Sequence, residues 1–331
     1  MTPSQIGQGL TPPQLLSALA AATLAAFLLS LSVGPAGFGL DIAGDAGGLI
    51  LTEVRLPRAI LGAIIGGSLG LAGAALQGYL RNPLAEPSLV GVSGGAALGA
   101  VLAIQLGLSS TLALALPAGG LAGAVLAMLA VMALSGAHGG PITLILAGLA
   151  VSSLAAALIS LLLNLSRNPF ASVEIVFWMM GSLADRSLTH VWLSVPPMLA
   201  GIALLLTVGR ALDALTLGED AARSLGVDVR RTRLAVVAGT ALCIGAATAV
   251  TGIIGFVGLL VPHVLRPLAR HRPGLLLPAS LFGGAIVLLL ADVGLRLIQP
   301  WAELRIGVLT ALIGAPFFVW LVLKTRAELA P

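Results

Sequence analysis

Apolar residues run through long stretches of the chain, and charged residues are confined to the gaps between them. Ten stretches stand out, at 15–33, 59–80, 90–107, 112–134, 142–165, 191–209, 233–251, 253–270, 275–297 and 306–324. Most reach the eighteen or so residues that a helix needs to cross a hydrocarbon core about 30 Å thick. The pattern predicts an all-α polytopic membrane protein of about ten transmembrane helices, organised as a single transmembrane domain over 1–331. The eighth stretch is the most interrupted: Gly and Pro break it, and Arg266 and Arg270 close it. The first, Leu15–Val33, is long and lacks the charged flank of a cleavable leader, so it reads as a retained helix.

Two connections between these stretches are long. One runs over 34–58 and the other over 164–190. The second contains an apolar, helix-length piece around Val173–Leu183, which reads as a short helix near a membrane surface. Glycine recurs every fourth residue on two stretches: Gly62, Gly66, Gly70 and Gly78, with Ala74 between, and Gly91, Gly95 and Gly99. Small residues at that spacing let helix backbones approach closely in lipid. The segments that begin at Arg55 and at Arg231 each open with basic residues and continue rich in Gly, a pattern compatible with an inverted repeat.

Composition supports this picture. The chain is 58% hydrophobic and 9% charged, whereas a soluble domain carries about 25% charged residues. The net charge of +4 does not point to nucleic acid. Aromatic residues make up 4%, and the arginines are scattered among the apolar stretches, as flanks of membrane helices are. Ten spans return both termini to one side. That side collects Arg81, Arg210, Arg223, Arg230, Arg231, Arg233, Arg266, Arg270, Arg272, Lys324 and Arg326. The other collects Arg55, Arg58, Arg167, Arg186, Arg296 and Arg305. The excess of positive residues marks the first side, with both termini, as cytoplasmic.

Candidate chemistry is sparse. Lys324 is the only lysine and lies in no G-x-x-x-x-G-K-[ST] loop, so this chain has no such route to ATP. The four histidines, at 138, 190, 263 and 271, are far apart, and Cys243 is the single cysteine, so no metal ligand set or disulfide framework is expected. Asp292 is the acidic residue closest to mid-membrane, and it reads as a helix-end anchor paired with Arg296 one turn on. "GVSGG" (91–95) places Ser93 between glycines, with His263 in a later helix. An intramembrane serine protease would need such a pair, but small packing residues explain Ser93 more simply. An ion-coupled secondary carrier is the other alternative.

The segment "LGEDAARSLGVDVRRTR" (217–233) is the exception to the apolar pattern, because seven of its seventeen residues are charged. Leu217, Ala221 and Leu225 fall at four-residue spacing, with Ala222 beside them. Glu219 and Arg223 can pair at i, i+4, and Gly226 is a natural helix stop. The pattern is that of a short cytoplasmic helix with an apolar stripe and a charged back, suited to a groove in a partner.

A set of longer motifs adds a resemblance. They are "RLPR" (55–58), "RNPLAEPSLVGVSGGAALGA" (81–100), "FWMMGSL" (177–183), "LGEDAARSLGV" (217–227), "GFVGLLVPHVLR" (255–266) and "ELRIGVLTALIGAPFFVWLVLK" (303–324). In this order they resemble the FecCD-type permeases of bacterial ABC importers for vitamin B12, heme and ferric siderophores. The resemblance implies ten helices per subunit, a homodimer in the inner membrane with the path at its two-fold axis, two ATPase subunits docked on the cytoplasmic side and a substrate-binding protein docked outside. ATP and Mg would belong to the partner ATPase, with no cofactor and no metal bound by this chain. It also implies residue roles. Leu217, Gly218, Glu219, Ala221, Ala222, Arg223, Leu225 and Gly226 form the ATPase-coupling helix, within a cytoplasmic segment of about 214–232. Arg55, Arg58 and Arg296 face acidic residues of the binding protein. Asn82 and Leu84 belong to a turn that forms part of a cytoplasmic gate. The loop 135–141 lies where a second gate element would be, and the turn at Arg266–Arg272 is a secondary ATPase contact.

Overall fold

A computed structural model describes residues 10–34, 37–38, 45–112, 114–136, 139–298 and 304–329. Residues 35–36 and 39–44 of the 34–58 connection, residues 137 and 138 of the 135–141 loop, and Glu303 lie outside the described residues. In chain order the α-helices are α1 Pro12–Ser32, α2 Asp45–Leu49, α3 Leu56–Leu80, α4 Val92–Gln105, α5 Leu108–Thr111, α6 Ala115–Ser135, α7 Pro141–Leu165 and α8 Pro169–Met179. They continue with α9 Leu188–Thr207, α10 Gly209–Leu215, α11 Glu219–Ser224, α12 Val229–Thr251, α13 Val257–Leu265, α14 Pro273–Ile298 and α15 Ile306–Leu329. The only strands among the described residues are Val33–Gly34 and Gly37–Phe38, a two-residue antiparallel pair.

Each of the ten predicted stretches contains a helix. Eight of the described helices are long and apolar enough to cross a membrane. The other two stretches are shorter than predicted. The third is α4, preceded by a 3₁₀ turn at Pro87–Val90. The eighth contains only the nine-residue α13, between non-helical residues 252–255 and a series of turns at 266–271. Non-helical backbone between spans is tolerated where protein rather than lipid surrounds it, and Gly252 and Ile254 are buried. The second stretch begins earlier than predicted. A π-helical run at Ile50–Arg55 joins α2 to α3 without a break, so part of the supposed 34–58 loop is helix. The apolar piece placed at Val173–Leu183 is α8, four residues earlier, because Asn168 caps it: its Oδ1 accepts from the Phe170 amide at 3.0 Å.

The glycine ridges are packing seams. A Cβ on Gly66 would collide with the Gly284 carbonyl of α14, one on Gly70 with the Ser280 carbonyl, and one on Gly73 with the Gly258 carbonyl of α13. On α4, Gly95 and Gly99 meet Gly123 and Gly119 of α6 in the same way. Backbone-to-backbone approach supplies dispersion contact where lipid offers no hydrophobic drive. Helices α3 and α12 are the two most buried spans. Around them pack α14, α13, α9, α4 and α6, while α1 leans on α14, α7 lies against α4, and α15 packs on α13 and α14. The outer helices keep large apolar side chains exposed, among them Leu126, Leu146, Leu154, Leu199, Leu312 and Val319.

Candidate docking surfaces and gate elements

At one end of the bundle the C-terminus of α3 meets α10 and the start of α14, for a Cβ on Gly78 would touch Leu212 and Pro273. The charged segment lies at this end and contains α11. Asp220 and Glu219 occupy its first turn and Arg223 its last, which complements the helix dipole. Arg223 pairs with Glu219 at 3.2 Å and with Asp220 at 3.4 Å. The helix stops as predicted at Gly226, whose φ is +83°. The Gly226 amide donates to the Arg223 carbonyl and the Val227 amide to the Ala222 carbonyl, which together make a Schellman cap. Leu217 and Leu225 are exposed at 69% and 64%, an apolar pair offered at the surface. Ala222 departs from the expected stripe. It is fully buried and seats the helix on its own bundle, because a six-residue helix needs one anchored side to persist.

The turn after α3 is built from side chains. Arg81 closes the helix at φ +50°, and Asn82 Oδ1 then accepts from the Leu84 amide at 2.9 Å, an Asx turn. Asn82 is exposed and Leu84 half-buried. Buried Gln77 holds the turn from inside. Its Nε2 donates to the carbonyls of Ala85, Gly258 and Leu259, and its Oε1 accepts from Arg266 at 2.5 Å. Glu86 Oε1 accepts from the Phe256 amide at 2.8 Å, which supports a phenylalanine backbone at φ +67°, an uncommon conformation for a bulky residue. Arg266 therefore turns inward from the 266–272 turn. Arg270 and Arg272 remain exposed.

The opposite end carries α8 and the second arginine group. Asp292 on α14 is held from two sides. Arg58 Nε and Nη2 reach its carboxylate at 2.7–3.0 Å, and Arg296 Nη2 lies 2.9 Å away. Arg296 also donates to the carbonyls of Ser30 and Val33 and to Ser30 Oγ. The expected Asp292–Arg296 pair is present. The expected docking role for Arg296 is not what the geometry provides, because Arg296 is 2% exposed and its donors are spent inside the subunit, tying α1 to α14. Arg58 keeps 13% of its side chain exposed and is also committed to Asp292. Arg55 Nη1 donates to the Leu31 carbonyl at 3.0 Å. A cavity of about 770 Å³ opens beside them, lined by Arg58, Arg186, Arg305, Asp185, Glu53 and Asp292 among others. Burial lowers the proton affinity of the Arg186 guanidinium, Asp185 beside it works the other way, and Arg305 adds to the lowering. Arg305 lies over the Phe177 ring, 5.5 Å from its centroid.

A family model described as the FecCD transport family matches residues 19–324. The chain belongs to the FecCD transport family. It is 41% identical over 297 residues to an uncharacterised ABC transporter permease protein, YvrB, of Bacillus subtilis, covering 87% of this chain and 83% of that one. It is 39% identical over 275 residues to the cobalamin import system permease protein of Halobacterium salinarum, 82% of this chain and 73% of that one. To the vitamin B12 import system permease protein of Shigella boydii it is 38% identical over 309 residues, 92% and 93% of the two chains. A solved structure described as an inward-facing conformation, of a transporter classed with the metal-chelate type of ABC transporters, superposes with a TM-score of 0.83 at 34% identity. It covers 95% of this chain and all of that one.

This FecCD chain is thus an ABC permease subunit with the fold of its relatives, a multi-pass membrane protein whose part in the work is transport. The alternatives gain no support. Ser93 and His263 share no hydrogen bond among the described residues, and His263 packs edge-on to Phe317 with ring centroids 5.6 Å apart. No group of three His, Cys, Asp or Glu able to hold a metal occurs among the described residues. Sequence reasoning missed Gln77, Glu86 and Arg233 as organisers of the α11 end. Gln77 carried a faint signal, an amide in an otherwise apolar helix, but its partners lie up to 189 residues away.

Proposed function

We propose that this FecCD permease forms a homodimer in a bacterial inner membrane, with both termini cytoplasmic, and imports a bulky metal chelate of the corrinoid, heme or ferric-siderophore class. Two ATPase subunits with bound ATP and Mg drive it, and an external substrate-binding protein delivers the cargo. The whole chain acts as one permease domain and binds no cofactor itself. Corrinoid is the favoured cargo, because two of the relatives are named for cobalamin or vitamin B12 import.

The single observation that carries this reading is α11, a Schellman-capped helix between two exposed leucines at the end of the bundle that the positive residues mark as cytoplasmic. Its shape suits a groove in an ATPase. A grip that differs between the ATPase's nucleotide states would bias the permease between two packings. The turn at Asn82 and Leu84 lies at the same end and serves as part of the gate. At the other end Arg55 and the rim of the 770 Å³ cavity receive acidic residues of the binding protein.

Co-purification tests the reading. A P-loop ATPase should accompany the chain and be lost when 217–227 is replaced by a Gly-Ser linker. Retention of the ATPase by the replaced chain would sink the assignment of α11. Cargo is read separately, by uptake into proteoliposomes with the cognate binding protein and a panel of cyanocobalamin, heme and a ferric siderophore.

A further inference from the structure

We propose that Arg233 is a positioning residue that makes the loop after α6 follow the docking helix α11. The proposal rests on the reading of α11 as the ATPase contact.

Arg233 lies in the second turn of α12 and is 4% exposed. A cation near a helix N-terminus is opposed by that helix's dipole, and a guanidinium so deeply buried must be compensated by acceptors. The acceptors come from another helix. Nη1 donates to the Gly139 carbonyl at 2.5 Å, and Nη2 donates to Ser135 Oγ and to the Gly136 carbonyl, each at 2.7 Å. These oxygens sit at or just past the C-terminus of α6, where carbonyls lack intrahelical partners and the dipole is negative. Arg233 therefore caps α6 from a position 97 residues beyond Gly136. The loop is shaped for this contact. It folds so closely at Gly139 that a Cβ there would collide with the Ser135 carbonyl. Charge-assisted bonds to a planar fork are short and directional, so Ser135, Gly136 and Gly139 hold one geometry with the arginine.

The other half of the argument is the stiffness of the connection between Arg233 and α11. Four residues, Leu225–Asp228, join α11 to α12. The Schellman bonds fix their first half. Asp228 fixes the second: its Oδ1 accepts from the Arg231 amide at 3.0 Å, and its carbonyl accepts from Thr232 Oγ1 at 2.9 Å. Docking helix, connector and first turns of α12 thus form one piece. A cavity of about 360 Å³ separates this piece from Gly139 and Gly140, with Tyr79, Glu219 and Arg233 in its walls. Across that gap the guanidinium provides the hydrogen bonds. The turn at 82–86 offers a contrast, since Gln77, Arg266 and Phe256 tie it to α3 and α13 and not to α11.

The test uses the permease in nanodiscs with the ATPase that co-purifies with it. Gly140→Cys supplies a probe site, because Gly140 is exposed and a Cβ there meets nothing within 4 Å. The native Cys243 is fully buried and stays silent to a membrane-impermeant maleimide. With Arg233 present, ATP–vanadate trapping should change the labelling rate at 140 by about tenfold, within the usual range of coupling between sites. Arg233→Met should abolish that change while the affinity for the ATPase stays the same. Arg233→Lys keeps the charge without the fork, should cut the response severalfold, and replaces the Met variant if that one fails to assemble. A full nucleotide response in either variant overturns the proposal. So does a docked ATPase with no nucleotide response in the Arg233 protein, which leaves the docking role of α11 standing. If no ATPase docks on the Arg233 protein at all, it is the α11 reading that falls, and this proposal with it.

Discussion

Asp292 shows how one residue carries two helices. Its carboxylate neutralises Arg58 from α3 and Arg296 from its own helix, while Arg296 reaches back to Ser30 on α1. Removing the shared anion leaves two guanidinium groups facing each other without a counterion. Asp292→Asn is therefore expected to cost about 3 kcal/mol, the usual penalty for breaking a buried pair from one side. A drop in the thermal midpoint of the purified protein in detergent checks it. The triple variant Arg58→Met, Asp292→Leu, Arg296→Met should recover much of the loss, since a packed apolar triad can match a buried ionic one. At Gly70 the cost is steric. Gly70→Val would push a branched side chain into the Ser280 carbonyl, and about 2 kcal/mol of destabilisation is expected from overpacking, read by the same thermal scan. The residue pattern foretold the Asp292–Arg296 pair because both lie on one helix, one turn apart. It could not foretell Arg58, which arrives from 234 positions earlier in the chain.

At the scale of elements, α11 has its boundary, cap and ion pair written locally. Its Glu219–Arg223 bond is exposed, with 33% and 59% of the two side chains accessible, so it contributes at most about 0.5 kcal/mol to stability. Glu219→Ala with Arg223→Ala should leave the thermal midpoint of the permease unchanged and weaken ATPase docking. Normal docking and normal ATPase stimulation by the double variant would count against the coupling role. The direction of Ala222 was not legible, because a stripe of small and large apolar residues does not say which members face the bundle and which a partner. The same ambiguity hid the true extent of α3. Residues 45–55 look like a Gly-rich loop with two acidic residues, yet they form α2 and the π-helical run that continues into α3.

For the molecule as a whole, the arginines fall into two groups at opposite ends, and the two groups do different work. At the α8 end Arg58 and Arg296 are spent on Asp292, and the docking surface proposed there is built from Arg55 and the rim of the neighbouring cavity. Arg55→Glu is expected to weaken binding-protein docking at low salt and to have less effect at high salt, since salt screens attraction between charges at a wet interface, with a Debye length of about 10 Å at 0.1 M. An unchanged affinity at low salt would remove Arg55 from the surface. Reversal of Arg58 is a poor probe of docking, because it also breaks the buried pair.

The sequence by itself determined the class of the protein, the ten helical stretches, the close-packed glycine faces and the family. Each of these depends on hydrophobic length, local spacing or motif order, which are properties of neighbouring residues. Only the tertiary structure decided which arginines are locked inside the subunit and which reach its surface. Arg296 looks like its fellow flanking charges Arg55 and Arg58, and Arg233 looks like Arg230 and Arg231, yet Arg296 and Arg233 alone are buried. Burial separates them, and burial depends on helices brought together from distant parts of the chain.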